Sequence, residues 1–330
     1  MINDTKPHLH PEPISGSAQN SILTIEPVEK EEERNDVIEL FRVVAACGIV
    51  WFHMELVPCR NVGLAGLIFF LTIGVIFQKQ AAERVSSQRY FLKRALRLLL
   101  PWIVWFVIYG LLNCVTGKSL FPHSSGFVED LLTGPWIGLW FLPFSFACAC
   151  VVFAAVKCFC IGSPFVNFFI CLILSLLFLV LVVICRVSTP FVAPWAQYLQ
   201  AVPSIPIGFA FAFALACLPN SFRMLVILQG GILLTCGGLY LMDPGLAVSY
   251  SLGTVLVAVS FGFQRKLRCP IRDVSSLCMG VYLIHGAVMS GFKIIPWVTQ
   301  HYLMWFVMTI LVSFLGVAFV RRMPYLKIIV

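Results

Sequence analysis

The amino-acid sequence predicts an all-α polytopic membrane protein with about ten transmembrane helices. The chain of 330 residues is 60% hydrophobic and only 12% charged, and its mean hydropathy is +0.93. Soluble domains, in contrast, have about a quarter of their residues charged. The apolar runs are each about 20 residues long, which is enough for a helix to cross the hydrocarbon core. They do not alternate between polar and apolar residues, which disfavours a transmembrane β-barrel.

Each apolar run predicts one span, and polar segments flank the set. The runs lie at about 37–56, 63–80, 98–116, 136–156, 165–185, 197–217, 224–242, 246–263, 275–295 and 302–320. We expect residues 35–322 to form one membrane domain. Residues 1–34 are polar and rich in Pro, Ser and Glu, so we expect a disordered cytoplasmic tail there. Residues 323–330 are expected to form a short cytoplasmic C-terminal tail.

The positions of the basic residues predict the orientation. If the N-terminus is cytoplasmic and the spans alternate, 18 of the 23 Lys and Arg residues lie inside, four lie outside, and Arg42 lies within the first helix. This bias predicts an integral protein of the plasma (inner) membrane with both termini in the cytoplasm. Because the basic residues sit in short loops, the net charge of +8 does not indicate a nucleic-acid partner. The cysteines lie mostly in apolar runs and lack CxxC spacing, so no bound metal is expected.

The first predicted helix carries three side chains that lipid disfavours: Glu39, Arg42 and His53. Arg42 and His53 are 11 residues apart, so they share one helix face and are separated by about 16 Å along the axis. Glu39 lies one turn before Arg42 and can pair with it. Taken singly, Arg42 could extend to the interface and His53 could be a hydrogen-bonded core histidine. Because the two share a face, we expect that face to line the bundle interior or a wet cavity.

A second basic feature precedes the third apolar run. Arg94 and Arg97 are three residues apart on a helix that enters the membrane from inside. Such a cluster satisfies the positive-inside rule without any further role. Paired arginines also suit an anion site for phosphates at the cytoplasmic face. The residues alone leave both interpretations open.

Five sequence elements, taken in order, resemble the acyltransferase-3 family of membrane proteins. Its opening motif has an acidic residue, an Arg three residues later, and a His after ten more residues. One element departs from the family pattern, because Ile73 stands where relatives usually have Ser. The matching residues are Glu39, Arg42 and His53; Phe69, Phe70 and Gly74; Arg94, Arg97 and Pro101; Leu139, Trp140, Phe141 and Leu142; and Ser276, Tyr282 and His285.

The resemblance implies an acyltransferase of the class that transfers groups other than amino-acyl groups. It would move an acyl group, usually acetyl, from acyl-CoA as co-substrate to a hydroxyl of a cell-surface or lipid-linked carbohydrate. We expect His53 to be the general base. Arg42, held by Glu39, would bind a CoA phosphate or stabilise the oxyanion of the tetrahedral intermediate. Arg94 and Arg97 would bind CoA phosphates at the cytoplasmic face.

Three further residues are candidates for the substrate pocket. Trp140 and Tyr282 could line it, although an interfacial aromatic belt is the commoner explanation of such residues. His285 could assist the reaction or only hydrogen-bond within the bundle. The expected partners are the glycan acceptor and membrane lipid, and whether a partner protein completes the transfer stays open. The acceptor sugar, the choice between acetyl and succinyl, and the oligomeric state stay open.

An alternative function is a transporter or flippase of a lipid-linked sugar without acyl transfer. Intramembrane charge fits a translocation path as well as it fits an active site. The ordered set of motifs, above all Arg42 with His53, favours the acyltransferase. A purely structural scaffold would account for the spans but not for the charged face.

Overall fold

The computed structural model describes residues 35–54, 58–121, 126–158, 162–263 and 270–323. The predicted tail 1–34 and nearly all of the predicted tail 323–330 lie outside these residues, so the prediction for each stays a prediction. The described residues form α-helices and short 3-10 turns, with no β-strand among them. The predicted all-α fold is therefore confirmed.

The described chain forms fourteen α-helices, ten of them long and four short. In order they are α1 Asp36–His53, α2 Leu64–Arg84, α3 Ser87–Val115, α4 Phe127–Thr133, α5 Phe141–Cys158, α6 Pro164–Ser188, α7 Trp195–Ala201, α8 Ser204–Ala216, α9 Ser221–Leu239, α10 Pro244–Gly262, α11 Ile271–Ser276, α12 Cys278–Phe292, α13 Pro296–Gln300 and α14 Tyr302–Arg322.

Eight helical segments in the described ranges are long and apolar enough to cross a membrane. Helix α1 has 18 residues but carries charged side chains in its first two turns, and α12 is apolar but only 15 residues long. Both belong to the same bundle, since α1 packs against α2 and α12 packs against α14. With these two helices the fold has about ten membrane helices, as the sequence predicts.

Two predicted spans differ from the observed helices, and a proline explains one of the differences. The run 197–217 is divided into α7 and α8 at Pro203, which lacks the N–H needed to continue the preceding helix. Helix α3 begins at Ser87, well before the apolar run at 98, with Ser86 in an extended conformation as its N-cap. The predicted arginine pair therefore lies on the first half of α3.

Helix α2 is the centre of the bundle. In its apolar stretch of 18 residues 72% are buried, against 22% in the corresponding stretch of α14 at the periphery. It approaches α1 at backbone distance, because a Cβ placed on Gly66 would lie 2.2 Å from the Ala45 carbonyl oxygen. A Cβ placed on Gly63, just before α2, would likewise lie 2.2 Å from the Gly48 carbonyl oxygen. Small residues thus permit the close contact that fixes α1 beside α2.

The start of α1 is anchored by polar contacts at one end of the bundle. Asn35 Oδ1 accepts a hydrogen bond from the Val37 N–H at 3.0 Å, which caps the helix. Arg272 of α11 forms an ion pair with Asp36, with 2.7 Å between Nε and Oδ1. At the same end, Arg321 of α14 donates to Ser276 Oγ at 2.5 Å. The first helix therefore begins where the last helix ends.

Candidate active site

The charged face of α1 forms an ion pair inside the bundle. The Arg42 guanidinium donates to Glu39 Oε2 at 2.9 Å. The side chain of Glu39 is 9% exposed and that of Arg42 is 25% exposed. Ser275, from α11, also donates its hydroxyl to Glu39 Oε2. The pairing predicted from the three-residue spacing is therefore present, and a third residue from a distant part of the chain holds it.

His53 ends α1 at the opposite end and lies against a second histidine. The ring centroids of His53 and His285 are 5.2 Å apart. The Trp136 ring centroid lies 5.7 Å from that of His53 and 5.0 Å from that of His285. Tyr282 completes the group, with its ring centroid 5.9 Å from that of His285. We call these four residues the histidine cluster.

The hydrogen bonding of His285 determines which of its nitrogens is basic. The residue is fully buried, and its Nδ1 lies 3.2 Å from the Val281 carbonyl oxygen. A carbonyl oxygen only accepts, so Nδ1 must donate and the neutral ring carries its lone pair on Nε2. Nε2 has no hydrogen-bond partner in the part of the chain that the structure describes. His285 thus places an unsatisfied acceptor inside the cluster.

Trp136 is the residue that contacts both histidines, and two glycines make room for it. A Cβ placed on Gly286 would lie 2.5 Å from Trp136 Cε2, and one placed on Gly138 would lie 2.3 Å from Trp136 Cη2. One face of the indole is stacked on the Tyr109 ring, with 5.0 Å between the ring centroids and 26° between the ring planes. The indole therefore occupies a slot in which neighbouring side chains fix its position.

Two tyrosine hydroxyls hold this slot together. Tyr109 of α3 donates to the Leu283 carbonyl oxygen at 2.8 Å and accepts from the Ala287 N–H at 3.1 Å. Tyr282 donates to the Gly138 carbonyl oxygen. All three bonds join α12 to other parts of the bundle. Buried hydroxyls with satisfied partners make the geometry of the cluster specific.

The other predicted pocket residue, Trp140, lies one ring further from the histidines. Its ring centroid is 5.6 Å from that of Phe144 and 5.8 Å from that of Tyr198. It also contacts Phe141, and the ring centroid of Phe141 lies 5.1 Å from that of Tyr282. Of the predicted pocket residues, the structure thus brings Tyr282 and His285 to His53, whereas Trp140 packs behind them.

The predicted arginine pair lies on α3, remote in sequence from both groups of α1. The Arg94 guanidinium carbon lies 5.5 Å from the centre of the Tyr90 ring, and Tyr90 donates to the Ala149 carbonyl oxygen at 3.1 Å. Arg94 is half-buried, and Arg97 is exposed. A cation over an aromatic face is held in place while its outer side stays accessible.

The sequence did not single out Trp136 or Tyr109. Trp136 is at the start of a predicted apolar run, where tryptophan commonly belongs to an interfacial belt, and Tyr109 lies within another run. A usable signal was the Gly134-Pro135 step, which places Trp136 in a turn before α5. Among the residues in the described ranges, no group of three His, Cys, Asp or Glu side chains could hold a metal ion. The expectation of no metal stays a prediction.

Fold and site together define a polytopic membrane protein with a partly buried histidine cluster at one end and an ion pair at the other. A family model described as an acyltransferase domain matches residues 35–322. The chain therefore belongs to the acyltransferase-3 family and is a membrane acyltransferase. Searches of curated proteins and of solved structures found no match.

Proposed function

We propose that the protein is a membrane O-acyltransferase that moves an acetyl group from acetyl-CoA to a hydroxyl of a cell-surface or lipid-linked carbohydrate. The observation that carries this proposal is the pair of imidazoles at His53 and His285, with ring centroids 5.2 Å apart. Ester formation from a thioester needs a base for the hydroxyl proton, and imidazole is the side chain best suited to that task near neutral pH.

In the proposed reaction, a nitrogen of His53 takes the proton of the acceptor hydroxyl as its oxygen attacks the thioester carbonyl carbon. The tetrahedral intermediate then collapses, the carbon–sulfur bond breaks, and the leaving CoA thiolate takes up the proton from His53, which returns the imidazole to its neutral form. Nε2 of His285 is suited to accept an N–H of His53, which would orient the base. Trp136 restricts the movement of both rings.

For Arg42, we propose contact with the donor and not with the oxyanion. Along one helix, Arg42 is about 16 Å from His53, further than an arginine side chain reaches. Its guanidinium is also engaged by Glu39. An arginine held in this way keeps its remaining N–H groups available for a phosphate oxygen. Arg94 and Arg97 would provide the other phosphate contacts.

The proposed location is the plasma (inner) membrane, with both termini cytoplasmic. The excess of basic residues on one side supports this orientation. In this orientation Arg42, Arg94 and Arg97 lie toward the cytoplasm, from which acyl-CoA arrives. The histidine cluster then lies toward the outer face, where a surface or lipid-linked glycan would approach.

The test of this proposal is the activity of His53→Ala. In cells that lack the gene, the variant should restore ester-linked acetyl on surface polysaccharide roughly 10²–10⁴-fold more slowly than the wild-type protein. The amount of protein in the membrane is measured in parallel. His301→Ala is the matched control, because His301 is an exposed histidine just before α14. It should leave acetylation unchanged.

Two outcomes would contradict the proposal. Wild-type acetylation by His53→Ala would remove His53 as the base. Unaltered acetyl content in cells that lack the gene, together with loss of a lipid-linked glycan from the outer face, would favour the flippase function instead.

A further inference from the structure

The hydroxyl of Tyr109, on α3, enters the backbone hydrogen bonding of α12. It donates to the Leu283 carbonyl oxygen at 2.8 Å and accepts from the Ala287 N–H at 3.1 Å. These two backbone groups are four residues apart, and in a regular α-helix they bond to each other. Since an amide has only one hydrogen, the bond from Ala287 to the hydroxyl weakens or replaces the bond within α12. A side chain of one helix thus alters the regular path of another.

The altered turn of α12 carries His285, which lies midway between Leu283 and Ala287. The Nδ1 of His285 is 3.2 Å from the Val281 carbonyl oxygen of the same helix. The backbone of α12 therefore sets the direction of the imidazole ring. Nε2 is the atom of this ring that has no hydrogen-bond partner among the described residues. The contact made by Tyr109 thus bears on where this basic nitrogen points.

Burial alone does not explain the contact. Tyr109 is 4% exposed, and a buried hydroxyl needs a partner for its O–H. The Leu283 carbonyl oxygen meets that need, and a carbonyl oxygen has two lone pairs, so it can accept without losing another bond. The further bond from the Ala287 N–H takes a donor away from the helix. Departures from regular structure of this kind are expected at functional sites.

The ring of Tyr109 acts on the same group of residues. It is stacked on the Trp136 indole, with 5.0 Å between the ring centroids. Trp136 in turn contacts the rings of both His53 and His285. The hydroxyl therefore holds the backbone that carries His285, while the ring supports the indole beside it. A Phe at this position would keep the support of the indole and lose only the hold on the backbone.

We propose that Tyr109 is a positioning residue, whose hydroxyl sets the turn of α12 so that Nε2 of His285 faces His53. The inference rests on the proposed function, since Tyr109 would act on the reaction only through the histidine that orients the base. In Tyr109→Phe, the backbone groups of Leu283 and Ala287 bond to each other. The regular turn then re-forms, and His285 moves with it.

The first measurement is the transfer of labelled acetyl from acetyl-CoA in inside-out membrane vesicles, which retain the cell's own glycan acceptor. For Tyr109→Phe, the maximal rate per amount of protein should fall about tenfold, because a group at the reacting end is displaced. KM for acetyl-CoA should stay within about twofold, since the donor contacts at the arginine end are unchanged. The thermal unfolding midpoint should shift by no more than about 3 °C, because α12 regains its own hydrogen bond.

The second measurement does not depend on activity. Nitrogen NMR of the full-length protein with isotope-labelled histidine, in lipid nanodiscs, reports the surroundings of Nδ1 and Nε2. The signals of His285 are assigned as those that are lost in His285→Gln. They should shift in Tyr109→Phe, because the ring moves relative to His53.

Tyr250→Phe is the matched control. Tyr250 is fully buried in another part of the bundle, where its hydroxyl donates to the Gln200 carbonyl oxygen at 2.7 Å and lies 3.3 Å from Ser204 Oγ. This variant loses a buried hydroxyl as Tyr109→Phe does, but not one that bonds to α12. Its maximal rate and its His285 signals should match those of the wild-type protein.

The outcomes separate this inference from the proposed function. A wild-type maximal rate or unshifted His285 signals in Tyr109→Phe would overturn the inference, while the proposed function stands. An equal loss of rate in Tyr250→Phe would overturn it too, and so would a fall of the unfolding midpoint by about 10 °C or more in Tyr109→Phe, since the hydroxyl would then serve folding in general. If wild-type vesicles transfer no acetyl, the proposed function fails, and the NMR comparison then decides whether Tyr109 sets the direction of His285.

Discussion

The ring centroid of Trp136 lies 5.7 Å from that of His53 and 5.0 Å from that of His285, and the indole has little room to move. Rings that must be oriented for proton transfer benefit from such support, because small displacements of a reacting group reduce rates strongly. In the proposed reaction the indole would act through the two histidines, and we propose Trp136 as a positioning residue.

The glycine slot gives a test of that role. Gly286→Ala would place a Cβ 2.5 Å from the indole and displace it. We expect kcat for acetyl transfer to fall at least about tenfold while KM for acetyl-CoA stays the same, since geometry at the reacting end is lost. The added methyl group should also lower the free energy of unfolding by about 1–3 kcal/mol.

Gly291→Ala on the same helix is the control for this change. An added Cβ at Gly291 would meet no atom within 4 Å, so kcat and stability should both match the wild-type values. If Gly286→Ala also had an unchanged kcat, Trp136 would have no positioning role.

At the scale of the helices, α1 joins an ion pair at one end to a histidine at the other. Glu39 also accepts from Ser275, so the pair connects α1 to α11. We expect Glu39→Ala to lower the free energy of unfolding by about 2–3 kcal/mol, because the half-buried Arg42 would lose its counter-charge. The double variant Glu39→Ala, Arg42→Leu should be less destabilised than the sum of the single variants by about 1 kcal/mol or more.

The measurement is a double-mutant cycle by denaturant unfolding in mixed micelles. Additive effects of the two single variants would mean that the contact at 2.9 Å contributes no coupling in the folded protein.

How much the sequence could predict depends on how local each feature is. The Glu39–Arg42 pair was predictable because both residues lie on one helix, where spacing fixes direction. His53 and His285 are on different helices, and nothing in their spacing predicts that they meet. Trp136 was missed for a similar reason, since a tryptophan at a helix boundary is commonly explained by the interface. The division of span 197–217 was foreseeable from Pro203, but its consequence for packing was not.

At the scale of the whole molecule, native cysteines can test the orientation. Cys59, between α1 and α2, and Cys114, at the end of α3, are exposed at the histidine end, and Cys158 is exposed at the end of α5. In the proposed orientation, a membrane-impermeant thiol reagent should label Cys59 and Cys114 in intact cells or spheroplasts. Cys158 should react only after the membrane is opened.

Peptide mapping of the labelled protein identifies which thiols react, and a permeant reagent gives the total. Labelling of Cys158 alone in intact cells would invert the orientation. In that case the histidine cluster would face the cytoplasm, and a donor could not arrive at the arginine end.

The close contact of α1 with α2 through Gly48, Gly63 and Gly66 has a consequence for the sizes of the substrates. A helix fixed by backbone contact cannot slide or stretch, so its rise of about 1.5 Å per residue sets a constant span between Arg42 and His53. Helix α1 therefore holds the two residues at one fixed separation. If the proposed function holds, a donor that is too short would bind by its phosphates near Arg42 without its thioester reaching His53.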